Sequence, residues 1–284
     1  MEIVRSIPRM KEIVRDWRRQ GQTVGFVPTM GYLHEGHLSL VRESKRMADH
    51  TVVSIFVNPL QFGPHEDYDR YPRDLDRDVE ILSREGVDVL FYPSAEDIYP
   101  RGYRTYVEVE DLSQKWEGAS RPGHFRGVAT VVCKLFHIVQ PDFAFFGQKD
   151  AQQFVIIRRM VQDLNMDVEL VQLPIVREND GLAMSSRNVY LSPEERAVAP
   201  RLYQALQLGQ RLVQEEGERD AARVVEAVRS FLAREPRIRV DYVALVDLED
   251  LEPVETVRGQ VLLAAAIYLG STRLIDNVIL NVKG

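Results

Sequence analysis

A single cysteine, Cys133, in 284 residues leaves nothing with which to close a disulfide inside the chain. Within Val128-Ala129-Thr130-Val131-Val132-Cys133-Lys134-Leu135 that thiol reads as a buried helix residue rather than a nucleophile. No apolar run approaches the ~18 residues of a membrane span. The start, Met1-Glu2-Ile3-Val4-Arg5-Ser6-Ile7-Pro8, lacks the basic-then-apolar pattern of an export signal. A cytoplasmic protein with no membrane partner is the expectation. Positive charge is also short: 36 Lys and Arg against 43 Asp and Glu give a net charge of −7, which argues against nucleic acid as a partner. Lysine is scarcer still. Only Lys11, Lys45, Lys115, Lys134, Lys149 and Lys283 occur, so a lysine in a loop is unusual here, and the arginine bias fits either genome composition or a hot habitat. Neither G-x-x-x-x-G-K-[ST] nor G-x-G-x-x-G is present, which excludes the P-loop and the dinucleotide fingerprint.

What is there begins at Pro28-Thr29-Met30-Gly31-Tyr32-Leu33-His34-Glu35-Gly36-His37-Leu38. The apolar run Thr23–Val27 before it suits a buried parallel strand, and Leu38, Leu40 and Val41 after it open an amphipathic helix. At such a junction free backbone N–H groups and the helix dipole favour an anion. Gly31 and Gly36 allow close approach of backbone to ligand, and His34 and His37, three apart, can face one ligand. A zinc-protease helix would need His-Glu-x-x-His, with the histidines four apart. Taken alone, the segment reads equally as a glycine-rich turn with two solvated histidines.

The rest of the chain weighs against that reading. With 45% hydrophobic and 28% charged residues it is an ordinary globular sequence, long enough for two domains. Strands are expected at Thr51–Val57, Val87–Tyr92, Asp142–Phe146 and Val168–Val176, and helices at Leu75–Glu85, His124–Val139 and Ala151–Leu164. Such alternation implies a parallel sheet covered by helices, with ligands beyond the carboxyl ends of the strands. Asn58 and Gln61 follow one strand, Gly147-Gln148-Lys149-Asp150 another, Ser185-Ser186-Arg187 the last, and Arg121 precedes a helix. Their joint placement on one rim points to a site. The tail differs. Ser192-Pro193-Glu194-Glu195 is a capping box starting a helix to about Glu215, and Asp220 caps a second helix through Ala233. Val240–Val246, Val261–Leu269 and Leu274–Leu280 then read as an antiparallel sheet. Asn179-Asp180-Gly181 is a plausible linker, placing Ser185–Arg187 where a moving lobe could close.

Five blocks resemble the pantothenate synthetase family in order and spacing: Pro28–His37, Phe56–Phe62, Arg121–Val128, Phe145–Gln153 and Gly181–Asn188, with the tail Gly270–Asn277 matching as well. His-x-Gly-His alone is shared by a wider nucleotidyltransferase superfamily; the five together are specific. The resemblance implies a Rossmann-like parallel sheet with helices on both faces, residues 1–176, and a smaller C-terminal α+β lid, 177–284. It also implies a ligase that condenses (R)-pantoate with β-alanine using ATP and Mg2+, through pantoyl adenylate, as a homodimer. No covalent enzyme nucleophile is then required.

By motif, His34, His37 and Lys149 take the catalytic roles, His37 as the family's proton donor. Met30, Gly31, Tyr32, Leu33, His34, Glu35, Gly36 and His37 form the first ATP loop. Lys149, Ser185, Ser186 and Arg187 cradle the triphosphate, Gly147 and Asp150 lie on the adenosine side, the Val176 backbone faces adenine, and Gln148 and Met184 complete the ATP-binding set. Gln61 and Gln153 hydrogen-bond pantoate, with Asn58 and Arg121 nearby. Gln148 stands where glutamate is frequent in the family. The magnesium ligands leave no trace in the sequence. Two other readings stay open: a nucleotidyltransferase acting on a small phosphorylated acceptor, and a nucleotide-binding regulatory protein.

Overall fold

The computed structural model describes residues 1–282. Its helices and strands fall into two compact units, Met1–Gln148 with Ile156–Pro174, and Lys149–Val155 with Ile175 onward.

The first unit is built on β1 (Glu2–Val4), β2 (Val24–Thr29), β3 (His50–Ile55), β4 (Val89–Phe91), β5 (Phe143–Gly147) and β6 (Glu169–Leu173). All pair in parallel, in the order β1-β4-β3-β2-β5-β6. From β2 outward the chain moves first to one side, through β3 and β4, and then to the other, through β5 and β6. The reversal leaves a crevice between β2 and β5, and in a parallel sheet every carboxyl end lies on the same edge. Helices α1 (Ile7–Arg19), α2 (Glu35–Met47), α3 (Leu75–Arg84), α4 (Ala95–Ile98), α5 (Trp116–Ser120) and α6 (His124–Val139) complete the unit, and α7 (Ala151–Asp163) follows β5. Val27, Leu33, Leu40, Val41, Val53, Ile55, Leu82, Leu90 and Phe145 form one core under the site; burying each such side chain is worth roughly 1.5–3 kcal/mol.

Several boundaries differ from the sequence reading. β6 stops at Leu173 rather than Val176, because Pro174 has no N–H to continue the ladder. β3 ends at Ile55, ahead of a single 3-10 turn, Pro59–Gln61. Neither β1 nor α1 was expected. α1 was legible: Pro8 stands in its first turn and Met10, Ile13 and Val14 are its buried face. Cys133 lies in α6 as expected but is only half-buried, with its Sγ 3.8 Å from His137 Nδ1.

In the second unit, α8 (Pro193–Val198), α9 (Arg201–Gln214) and α10 (Ala221–Ala233) pack on the antiparallel order β7 (Ile238–Asp247), β8 (Gly259–Leu269), β9 (Thr272–Val282). Leu202, Leu206, Val224, Val228, Leu245, Leu263 and Ile267 form its core. Both predicted caps are present, Ser192 with Glu195 and Asp220 with Ala222 and Arg223. The single helix expected from Ser192 to Glu215 is two, since Pro200 cannot carry the hydrogen-bond ladder through. Asn179–Gly181 is a tight turn inside this unit, closed by the bridge of Arg177 with Ala183, and not a linker.

Candidate active site

The Met30–His37 segment leaves β2 at the reversal point of the sheet. Gly31 and Tyr32 both adopt left-handed backbone, with φ of +84° and +51°, a conformation glycine tolerates and tyrosine does not favour. The loop is held in it from below. Asp78 on α3, 1% exposed, accepts the Tyr32 N–H at 2.7 Å and the Leu33 N–H at 2.8 Å. Arg77 donates to the Leu33 carbonyl at 2.8 Å and lies over the Tyr32 ring. Burial lifts the Asp78 carboxyl above its ordinary value, while the Leu33 and Tyr32 amides and Arg77 pull it back. Asp78 was missed in the sequence, where it looked like one more charge on a solvated helix.

Helix α2 begins three residues earlier than the apolar pattern showed, because His34 is its N-cap. The Gly36 N–H donates to His34 Nδ1 at 3.1 Å and the His34 N–H to His37 Nδ1 at 3.3 Å, a reciprocal capping box made of imidazoles. The rings lie 4.1 Å apart. The expectation of free backbone N–H groups is therefore corrected: those of Gly31, Tyr32, Leu33, His34, Gly36 and His37 all have acceptors within the protein. What the loop offers a phosphate instead is imidazole. With each Nδ1 accepting, the neutral tautomer carries its proton on Nε2. Leu33 itself packs in the core, and the Glu35 carboxylate pairs with Arg42. Met30, Gly31 and Tyr32 line a cavity of about 450 Å3 over the ends of β2, β3 and β4, within the usual range for small ligands.

Beside this loop, Gln61 sits at the end of the 3-10 turn, 8% exposed. Its Oε1 accepts from Asn58 Nδ2 at 3.0 Å and its Nε2 donates to Met30 Sδ at 3.3 Å. Asn58 is buried with both ends of its amide engaged: Nδ2 also donates to the Gly127 carbonyl, and Oδ1 accepts from the Tyr99 hydroxyl at 2.8 Å. Asn58 thus orients Gln61. Burial pushes the Tyr99 phenol up, keeping it a proton donor. Gly127 lets α6 come close, since a Cβ there would stand 2.3 Å from the Leu60 carbonyl oxygen.

Arg121 forms a two-pronged pair with Glu66, 2.7 Å for each bond, and approaches Glu117 at 3.5 Å. His124 donates from Nδ1 to the Gln61 carbonyl at 2.8 Å and meets Arg121 through Nε2. Burial first, and the Arg121 charge second, bring its pKa down to about 4, so the ring is neutral. Glu66 is held below its ordinary value by Arg121 against the cost of its burial.

In the second unit, Lys149 and Asp150 occupy a 3-10 turn, Gln148–Asp150, with Nζ and the Asp150 carboxylate 3.8 Å apart. Gln153 lies in the first turn of α7, half-buried. The Val176 carbonyl accepts the Met184 N–H at 3.0 Å. Ser185 caps the turn Ser186–Tyr190 by accepting from the Arg187 N–H, and Asn188 ties that turn to Glu178 and the Ala183 carbonyl.

A parallel sheet in this strand order, with an imidazole-capped His-x-Gly-His loop at its reversal, defines a Rossmann-like α/β protein with a candidate ligand site at the switch point. Comparison with known proteins narrows the class. Residues 2–279 match the family described as pantoate-beta-alanine ligase. The chain is 58% identical over 281 residues to the pantothenate synthetase of Thermotoga neapolitana, covering 99% of this chain and 100% of that one. With that of Caldicellulosiruptor saccharolyticus the identity is 55%, at 99% and 100% coverage. The crystal structure of the Thermus thermophilus pantothenate synthetase superposes with a TM-score of 0.93 at 49% identity, covering 98% of this chain and 99% of that one. A Francisella tularensis pantoate-beta-alanine ligase, complexed with beta-gamma ATP and beta-alanine, gives 0.80 at 36% identity, with 98% and 97% covered. The chain belongs to the pantoate–β-alanine ligase family.

Proposed function

We propose that this ligase condenses (R)-pantoate with β-alanine in two steps. The pantoate carboxylate attacks the α-phosphorus of ATP and pyrophosphate leaves; the β-alanine amine then attacks the acyl carbon of pantoyl adenylate and AMP leaves. A carboxylate is a poor acyl donor, and adenylation supplies the leaving group. The carrying observation is the full-length family match together with the imidazole pair at the sheet's reversal.

The roles follow from the chemistry of the groups. His34 and His37 donate Nε2–H bonds to phosphate oxygens. An imidazolium would point its Nδ1 proton at a backbone N–H, so the capped geometry favours neutral donors that stabilise developing charge over a full proton transfer from His37. Lys149 and Arg187 supply positive charge, and Ser185 and Ser186 supply hydroxyls. Gln61 presents its amide to pantoate, with Gln153 as a second amide, while Asn58 and Arg121 support Gln61 from behind. Among the described residues no group of three or more His, Cys, Asp or Glu side chains could hold a metal. Mg2+ needs no such cluster, since it keeps several waters and is held by substrate phosphates with one or two carboxylates. The family resemblance carries two further proposals, a homodimer, checked by analytical ultracentrifugation, and a cytoplasmic location, checked by cell fractionation. No described helix is long and apolar enough to cross a membrane.

Labelled pyrophosphate should enter ATP when pantoate is present and β-alanine absent. Exchange that requires β-alanine would overturn the two-step order, and exchange with phosphorylated acceptors but not with pantoate would favour a nucleotidyltransferase.

A further inference from the structure

Strand β9 carries Asp276-Asn277 in the tail motif, and no role above uses them. Both are 3% exposed. The Asp276 carboxylate takes Arg177 in two bonds, 2.6 and 3.0 Å, and also accepts the Asn277 N–H at 2.7 Å. Arg177 in turn donates to the Gly181 carbonyl at 3.1 Å and lies 3.6 Å above the Tyr203 ring. It therefore braces both sides of the 177–183 turn, whose far strand runs through Met184, bonded back to Val176, straight into Ser185–Arg187. The neighbouring Asn277 reaches the other way, its Nδ2 donating to the Lys149 carbonyl at 3.0 Å. Two adjacent residues of one strand thus grip the two segments of this unit to which the triphosphate chemistry has been assigned.

A buried ion pair in a sheet seldom adds net stability over a packed apolar pair, because both charges lose their water. Its value lies in fixing geometry, since only one arrangement satisfies every donor and acceptor. We propose that Asp276 and Asn277 are positioning residues that hold Lys149 and Ser185–Arg187 in register for pantoate adenylation, a role that rests on the reading of Lys149 and Arg187 above. Neither touches a reacting atom. A misplacement of about 1 Å in a group that stabilises the transition state costs on the order of 100-fold.

The test separates the half-reactions in the full-length enzyme. Asn277→Ala removes the anchor on Lys149, and Asn277→Asp keeps its size while presenting an oxygen to the Lys149 carbonyl. Both should slow pantoate-dependent pyrophosphate exchange about 10- to 100-fold and raise KM for ATP. The rate at which β-alanine consumes pantoyl adenylate supplied ready-made should stay as in the wild type. Asp276→Asn should show the same split where it folds; the Asn277 variants decide the matter if it does not. Equal slowing of both half-reactions, following a lower Tm, would reduce the pair to a structural role. Unchanged exchange in the Asn277 variants, with Lys149→Ala impaired, would overturn the proposal alone. Unchanged exchange in Lys149→Ala would strike the role of Lys149 itself.

Discussion

Lys149 lies in a 3-10 turn and His37 in the first turn of α2, and neither is buried, so replacing either with alanine removes no core residue. Lys149→Ala should leave folding intact, His37→Ala should cost about 0.5–2 kcal/mol through the lost cap bond to the His34 N–H, and each should slow adenylate formation by about 100- to 1,000-fold, as loss of one preorganised donor does; rapid-quench measurement of pantoyl adenylate checks this, and unchanged rates would remove both from the chemistry. His124 carries a prediction of the opposite kind, on stability. Its ring titrates near an ordinary 6.5 when unfolded but about 4 when folded, because burial and Arg121 disfavour the charged form and outweigh the Gln61 carbonyl. Above pH 6.5 the ring is neutral in both states. As pH falls below that, the unfolded chain takes up a proton that the folded one refuses until about pH 4, so stability is lost across this window. The loss attributable to His124 should be about 2 kcal/mol between pH 7 and 5. Urea titrations at the two pH values should show a correspondingly flatter dependence in His124→Gln; an identical slope would mean that the ring charges in the fold.

At the scale of elements, α3 holds the Met30–Leu33 loop without belonging to it. One Asp78 carboxylate serves two successive amides of a left-handed turn, and an asparagine has only one acceptor oxygen to offer. Asp78→Asn should therefore leave one buried N–H facing an amide NH2, at a cost of about 1–3 kcal/mol, and should slow adenylation by loosening Met30–Leu33. Urea denaturation together with pyrophosphate exchange tests both halves. Full exchange activity in a destabilised variant would show that the clamp serves the fold alone. α2 makes a related point: the same imidazoles proposed to face the phosphates also start the helix, so histidine substitutions here touch the cap as well as the proposed chemistry.

At the scale of the whole molecule, among the described residues, one apolar core lies against the parallel sheet and another between α9, α10 and the antiparallel sheet. A chain shortened to residues 1–174 keeps the first core entire. It should retain a cooperative urea transition and parallel α/β circular dichroism, yet fail in pyrophosphate exchange, because Lys149–Val155 group with the missing unit and Ser185–Arg187 are gone. Exchange at the full-length rate would contradict the roles given to those residues.

The sequence by itself determined the class of fold and the family to which the chain belongs. Apolar runs four to seven residues long, alternating with 3.6-residue periodicity, are local signals, and so are the Ser192 and Asp220 caps; α6 begins and ends at the expected residues. The His-x-Gly-His, Gln61, Lys149 and Ser185–Arg187 blocks were legible for the same reason, since each is a short run of unusual composition. Tertiary structure alone decided what those blocks are held by. Asp78 on Tyr32 and Leu33, Tyr99 on Asn58, and Asn277 on the Lys149 carbonyl join residues 41 to 128 positions apart. Such pairs leave no periodicity behind, because a buried polar side chain is specified by the one partner it meets in space and not by its neighbours along the chain. The occupied amides of the Met30–His37 loop were hidden likewise. A glycine-rich turn shows that backbone N–H groups are present, and only the fold shows where they point.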